Sequence, residues 1–321
     1  MKKLLILTTI MAVFSSAANA KEMMSELSLT NPLYKPKEGK MYSETNLNYS
    51  KQEFYSYTFS TNVENSIEID TQRAEEFLKF GVTDMLTTSF KLGYEIQKES
   101  RTYHGINPDE DYDSKGVTNP EFGIEYRIIN NRIHKFDILH SLKLDVFERE
   151  DTTTNQVDGT ISDGRHEFGL GLRYGITMDR FTLAGTSIAK YLHEVKYNMI
   201  GIGQSKSSIL DKRHYLLNFK IELEYMFTKK FSTIFTSGYA YEQSRDVINK
   251  TNSTVTDRND GGKMNSSIQI NYMINDMFTL AAYYSGEHQR DSLFDIANSV
   301  NDYEYRDNMT QTLGLKTIME F

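Results

Sequence analysis

The chain holds seven histidines, His104, His134, His140, His166, His193, His214 and His288. An imidazole beside a carboxylate can act as a general base near neutral pH. Five of them, His104, His166, His193, His214 and His288, stand at the edges of long polar stretches that also carry Asp163, Glu194, Asp211 and Asp291. Nucleophilic catalysis asks for more than that. The chain has no Cys and no G-x-S-x-G, and His140 is followed directly by Ser141 instead of by a spacer and then Ser. The stretch NPDEDYDSKG sets Asp109, Asp111 and Asp113 at alternate positions, as a calcium loop begins. Ser114 then stands where such a loop needs Gly, and Pro120 where it needs a bidentate Glu, so a solvated acidic loop is expected. No clustered His/Cys motif offers a metal site. The expectation is a protein that is not an enzyme and uses no cofactor.

The charges follow a sharper pattern. In FKIELEYMFTKKF, Phe219, Ile221, Leu223, Tyr225 and Phe227 alternate with Lys220, Glu222, Glu224 and Met226. On a strand, period two puts the apolar side chains on one face and the charges on the other. The same parity elsewhere groups Lys91, Glu95, Glu121, Glu125, Arg127, Asp137, Lys143, Asp145, Glu167, Arg173, Lys220, Glu222, Glu224, Gln269, Asn271, Glu287 and Lys316 on the polar face. Phe122, Ile124, Tyr126, Phe168, Leu170, Leu172, Tyr174, Ile268, Ile270 and Tyr272 fall on the other. Charges of both signs facing one enclosed space would set up a transverse field that favours small polar solutes. A modest acidic excess on that face predicts a weak preference for cations.

About twelve segments alternate in this way, near 41–54, 70–82, 86–99, 117–129, 134–149, 164–177, 181–197, 213–228, 231–246, 263–274, 278–291 and 307–321. Five connections are tight (VTDML, INNRIHK, TMDRF, FTKKF and INDMF) and strictly alternate with long polar ones. An up-and-down antiparallel sheet gathers its tight turns at one end and its long loops at the other, whereas a Greek-key sandwich has no reason to. Composition agrees: Tyr (21) and Phe (18) are abundant, Pro (4) is scarce, and Cys and Trp are absent. After the first twenty positions no apolar run reaches the ~20 residues of a spanning helix. That leaves strands as a possible means of crossing a membrane.

The first twenty residues have their own logic. Lys2 and Lys3 precede the apolar core LLILTTIMAVF, and Ala18–Ala20 (ANA) is a small-residue cleavage site, the pattern of a secretory signal removed near Ala20. Cleavage takes the net charge from −8 to −10 by removing two lysines, and an exported acidic chain is a poor partner for nucleic acid. Residues 21–40, with Pro32 and Pro36, read as an irregular periplasmic lead-in, and 41–321 as the strand domain. The last strand, LGLKTIMEF, puts Leu313, Leu315, Met319 and Phe321 on one face.

The signal, the repeated hairpins and the terminal Phe on an alternating strand resemble Gram-negative outer-membrane β-barrel proteins, and NPLYKPKEGKMYSETNLNYS resembles the opening of small porin-like transporter barrels. The resemblance implies an all-β, transmembrane, up-and-down antiparallel barrel of about twelve strands in the outer membrane. It implies contact with outer-membrane lipid and lipopolysaccharide. Leu313, Leu315, Met319 and Phe321 would be the signal read by the outer-membrane assembly machinery. The expected function is a passive channel for small hydrophilic solutes, with the polar-face residues lining it. Two alternatives stand beside it: a surface-structural or adhesive barrel acting through its long loops, and an outer-membrane hydrolase with a His/carboxylate rim. Nothing in the sequence specifies an oligomeric state.

Overall fold

The structure is a computed structural model that describes residues 28–59, 63–103, 110–146, 164–199, 207–296 and 303–321. The signal segment, His104, Asp109 and Asp163 lie outside them. Twelve strands close one antiparallel barrel. They are β1 (Met41–Thr58), β2 (Val63–Gly81), β3 (Leu86–Tyr103), β4 (Glu110–Val117, then Glu121–Asn130), β5 (His134–Lys143), β6 (Glu167–Met178) and β7 (Phe181–Leu192, then Val195–Met199). They continue as β8 (Ser207–Asp211, then His214–Met226), β9 (Phe231–Glu242, then Arg245–Asn249), β10 (Thr254–Arg258, then Gly261–Asn275), β11 (Phe278–Gln289, then Ser292–Ile296) and β12 (Tyr303–Glu320). Each strand pairs with its sequence neighbours, and β1 closes on β12 from Tyr42↔Glu320 to Thr58↔Tyr303. Phe321 completes the seam: its N–H donates to the Met41 carbonyl at 2.9 Å, and its carbonyl accepts from the Met41 N–H at 2.8 Å. Closure leaves no free edge.

Four of the five tight turns share a device. Thr83, Asn131, Thr228 and Asn275 each accept, through the side chain, the backbone N–H two residues ahead. This is the Asx/ST turn chemistry that reverses a chain over few residues. At the opposite end the strands outrun the alternating pattern. β2 begins at 63 rather than 70, β4 at 110 rather than 117, β10 at 254 rather than 263 and β12 at 303 rather than 307. Asp111 and Asp113 therefore lie in β4 and not in a loop, although both are exposed. These extensions hold few apolar residues, Ile67 and Ile69 of β2 apart, and the antiparallel ladder continues without a sustained alternation.

The outward face is an exposed apolar belt that includes Phe122, Ile124, Tyr126, Phe168, Leu170, Leu172, Phe219, Ile221, Leu313 and Leu315. A belt of this extent is unaffordable in water and suits lipid. A carboxylate and an imidazole interrupt it. His140 lies on β5 between Ile124 and Leu170. Glu76 faces outward on β2 opposite Thr45, and the Ser43 and Thr45 hydroxyls donate to its two carboxylate oxygens at 2.5 and 2.6 Å. Those bonds offset part of the penalty for a carboxylate facing lipid. Replacing Ser43 by Ala and Thr45 by Val should lower the temperature at which the refolded barrel loses its fast gel mobility. Adding Glu76→Leu should restore it. A triple variant no more heat-resistant than the double would show that the carboxylate is not what the hydroxyls serve.

Candidate functional site: a charged lumen and the segment inside it

Residues 28–40 form no strand, and they enter the barrel at the tight-turn end. Leu33 is fully buried against the wall: a Cβ on Gly175 of β6 would lie 2.4 Å from its side chain. Only glycine leaves room for it there. Asn31 Nδ2 donates to Thr182 Oγ1 on β7 at 2.7 Å and to Glu224 Oε2 on β8 at 2.6 Å. Ser28 Oγ and Ser232 Oγ of β9 donate to Glu224 Oε1 at 3.0 and 2.9 Å. On the other side, Arg127 of β4 donates to the Leu33 carbonyl at 2.7 Å, and Lys35 Nζ to the carbonyls of Met85 and Glu125 at 2.8 and 3.0 Å. Leu29 packs with Tyr42 of β1 and Ile318 of β12. A segment touching opposite walls at once occupies the lumen.

Above and around it the polar-face residues pair. Asp137 of β5, with no exposed surface, accepts from Arg127 Nε at 2.7 Å and from Arg173 of β6, Nε at 2.9 Å and Nη2 at 2.6 Å. Arg173 also binds Glu125. Glu95 takes Arg73, and Lys91 takes Glu75 at 2.8 Å. Glu167 bridges Lys143 and Lys190 at 3.0 Å each, and Glu121 lies in register between Lys91 and Lys143. Lys220 meets Glu222 at 3.0 Å, Lys316 meets Glu44 at 2.9 Å and Lys263 meets Glu287 at 3.1 Å. Gln269 donates to Asn271, which donates to Ser232 beside Glu224. Asp145 lies beyond the end of β5, accepting from Asn119 at 3.2 Å. These residues form several clusters and not one continuous lining.

The parity reading missed Lys35, Glu44, Arg73, Glu75, Lys79, Lys135 and Lys190. In β2, Glu75 and Glu76 are adjacent and Phe77 points inward toward the segment, so the alternation looks broken there. In β7, the small residues Gly185, Ser187 and Ala189 blunt the contrast between faces. The flanking outward Leu78, Phe80 and Leu183 were the available signal. These additions are mostly cationic, and they offset the acidic excess of the seventeen.

A polar cavity of about 430 Å³ sits directly on the lumen segment. Its walls come from β1, β2, β6 and β8–β12, and its floor from residues 29–34. Farther out, a second cluster joins Arg165, Asp211, His214, Glu242 and Arg245. Arg245 Nε donates to Asp211 at 2.8 Å, Arg165 also binds Asp211, and His214 Nε2 meets Glu242 at 3.0 Å. Arg245 binds Glu242 as well. Burial opposes the Glu242 charge, but the bond to His214 and the fields of Arg258 and Arg245 outweigh it and hold this carboxyl well below the usual carboxylate range. Its contribution to stability is complete above the unfolded carboxylate pKa of ~4.3 and fades only as pH falls through the lower folded value. His214 is buried and its carboxylate is committed to arginine, so the cluster clamps the breaks in β8 and β9 and does not present an open acid–base pair.

No family model matches the sequence, and no curated protein matches it. Among solved structures, an outer membrane channel from Pseudomonas putida F1 is similar at a TM-score of 0.56 and 11% identity, covering 92% of this chain and 100% of that one. A Pseudomonas aeruginosa FadL homologue matches at 0.41 and 11%, covering 87% and 90%. A deletion mutant of the TodX monoaromatic hydrocarbon channel matches at 0.44 and 11%, covering 91% and 94%. At this identity the first likeness establishes the fold alone, a closed antiparallel β-barrel.

Proposed function

We propose that this barrel is a passive outer-membrane channel for small hydrophilic solutes, narrowed at its tight-turn end by residues 28–37. The observation that carries the reading is the polar cavity of about 430 Å³ held inside the wall and floored by that segment. A barrel of about eight strands is filled by side chains and one of about sixteen leaves an aqueous channel, so twelve strands suit a narrow wet lumen. The weak cation preference expected from the sequence rests on an acidic excess among the seventeen residues, and the seven residues added above offset that excess. Size and hydrogen bonding are therefore the main selectors in the upper lumen.

The refolded protein in a planar bilayer with potassium chloride should give discrete conductance steps. The density of lumen ion pairs favours a second reading, a closed surface-structural barrel. Silence from the intact protein and from a variant lacking residues 28–36, both shown to be folded, would leave that reading standing and end the channel one.

For assembly, we take Leu313, Leu315, Met319 and Phe321 as the segment read by the assembly machinery, in a membrane that supplies lipid and lipopolysaccharide. All four are exposed outward, and Phe321 locks the seam to Met41. Deleting Phe321 should sharply reduce the amount of protein reaching the outer membrane, while the same variant refolded in detergent keeps nearly the parental heat resistance. Equal outer-membrane levels would remove that role.

A further inference from the structure

From the cavity above residues 28–37, we propose that it is a binding site for a small hydroxylated organic anion, with Lys79 as the group that receives the negative charge. The inference rests on the channel reading for access to the lumen and adds the class of solute.

The charge balance inside the cavity leads there. Four cations line it, Lys79, Arg173, Lys220 and Lys316, against two carboxylates, Glu44 and Glu222. Both carboxylates are taken, Glu44 by Lys316 and Glu222 by Lys220. Arg173 turns to Glu125 and Asp137 below. Lys79 is different. Among the described residues no carboxylate lies within ion-pair distance of it, and its ammonium rests over the rings of Tyr42 and Phe77, 5.5 and 5.2 Å from their centroids. Ring faces attract a cation but do not neutralise it, and an ammonium away from bulk water favours an anion nearby.

The remaining walls suit hydroxyls. Asn46, Thr236, Ser267, Gln269 and Ser285 present amides and alcohols to the same space. Tyr283 adds a ring with Lys316 Nζ 5.3 Å from its centroid, and its hydroxyl donates to Asn46 at 3.2 Å. One cation with no ion-pair partner among the described residues, beside convergent hydrogen-bonding groups, is the arrangement of a site that orients a polar solute by its charged end. Simple chloride would leave most of those groups unused.

Gluconate is the probe, with glucose as its uncharged counterpart, titrated by calorimetry into the full-length refolded protein in detergent. Gluconate should bind at least ten times more tightly than glucose. Lys79→Met should weaken gluconate by tenfold or more and leave glucose unchanged, and Lys79→Arg should retain most of the affinity. Fast gel mobility before boiling certifies that each variant is folded. Gluconate binding equal to that of glucose, or unaffected by Lys79→Met, would overturn the site. Lys79-dependent binding in a protein that shows no conductance would uphold the site and remove the channel, whereas conductance without Lys79-dependent binding would do the reverse.

Discussion

Freeing the lumen segment should raise single-channel conductance several-fold. Leu33 is fully buried in the notch that Gly175 leaves open, and truncating such a leucine costs about 2–5 kcal/mol. Asn31 holds Thr182 and Glu224, and a hydrogen bond to a charged group contributes about 1.5–3 kcal/mol. Asn31→Ala combined with Leu33→Ala therefore removes two of the segment's anchors to the wall. The segment should then sample positions out of the lumen, giving larger and noisier steps. Excising residues 28–36 should give the largest and quietest steps. The wall's ladder is untouched by either change, so both variants should keep the fast gel mobility of a closed barrel. Parental conductance in the excised variant would mean that the segment lies off the solute's path.

Asp137→Ala should be the most destabilising single substitution in the lumen. This carboxylate has no exposed surface and joins the guanidiniums of Arg127 and Arg173. Removing it leaves two guanidiniums facing each other with Glu125 as their one shared counter-charge among the described residues, a loss of about 3–5 kcal/mol for a broken buried pair. Guanidinium unfolding of the refolded protein measures it. Arg127 also holds the Leu33 carbonyl at 2.7 Å, so the same variant should conduct more than the parent. Replacing Arg127 and Asp137 together by leucine should recover part of the stability, since the uncompensated charge goes with its partner. A loss for Asp137→Ala within ~0.5 kcal/mol of zero, the range of an ordinary surface change, would show that lumen water already screens the cluster.

β8 shows how much could be read in advance. Phe219 to Phe227 alternate with charges, and the structure puts Phe219 and Ile221 outside and Glu224 inside. β2 shows the opposite. Glu76 sits on the lipid side and Phe77 on the lumen side because one answers to hydroxyls on β1 and the other to the lumen segment. The lead-in carried Pro32 and Pro36 and no alternation, which identifies an irregular chain; it reads as periplasmic, and residues 28–35 meet the inner wall of the barrel. The histidines read as rim candidates divide as well: His214 enters the arginine clamp, while His166 accepts the Asp145 N–H.

Strand number, sidedness and the segregation of short turns from long loops were determined by the sequence alone, because alternation is a property of each strand's own backbone: neighbouring side chains point to opposite faces whatever lies beyond them. Which charges neutralise one another was decided only by the tertiary structure. Lys316 finds Glu44 because β12 closes on β1 across the whole length of the chain, and Glu224 finds Asn31 because a chain without strand periodicity turns into the lumen. Those partners are set by register and closure between segments far apart in sequence. Lys79 is left over for the same reason: the closed lumen brings no carboxylate within ion-pair distance of it among the described residues, and nothing within its own strand foretells that.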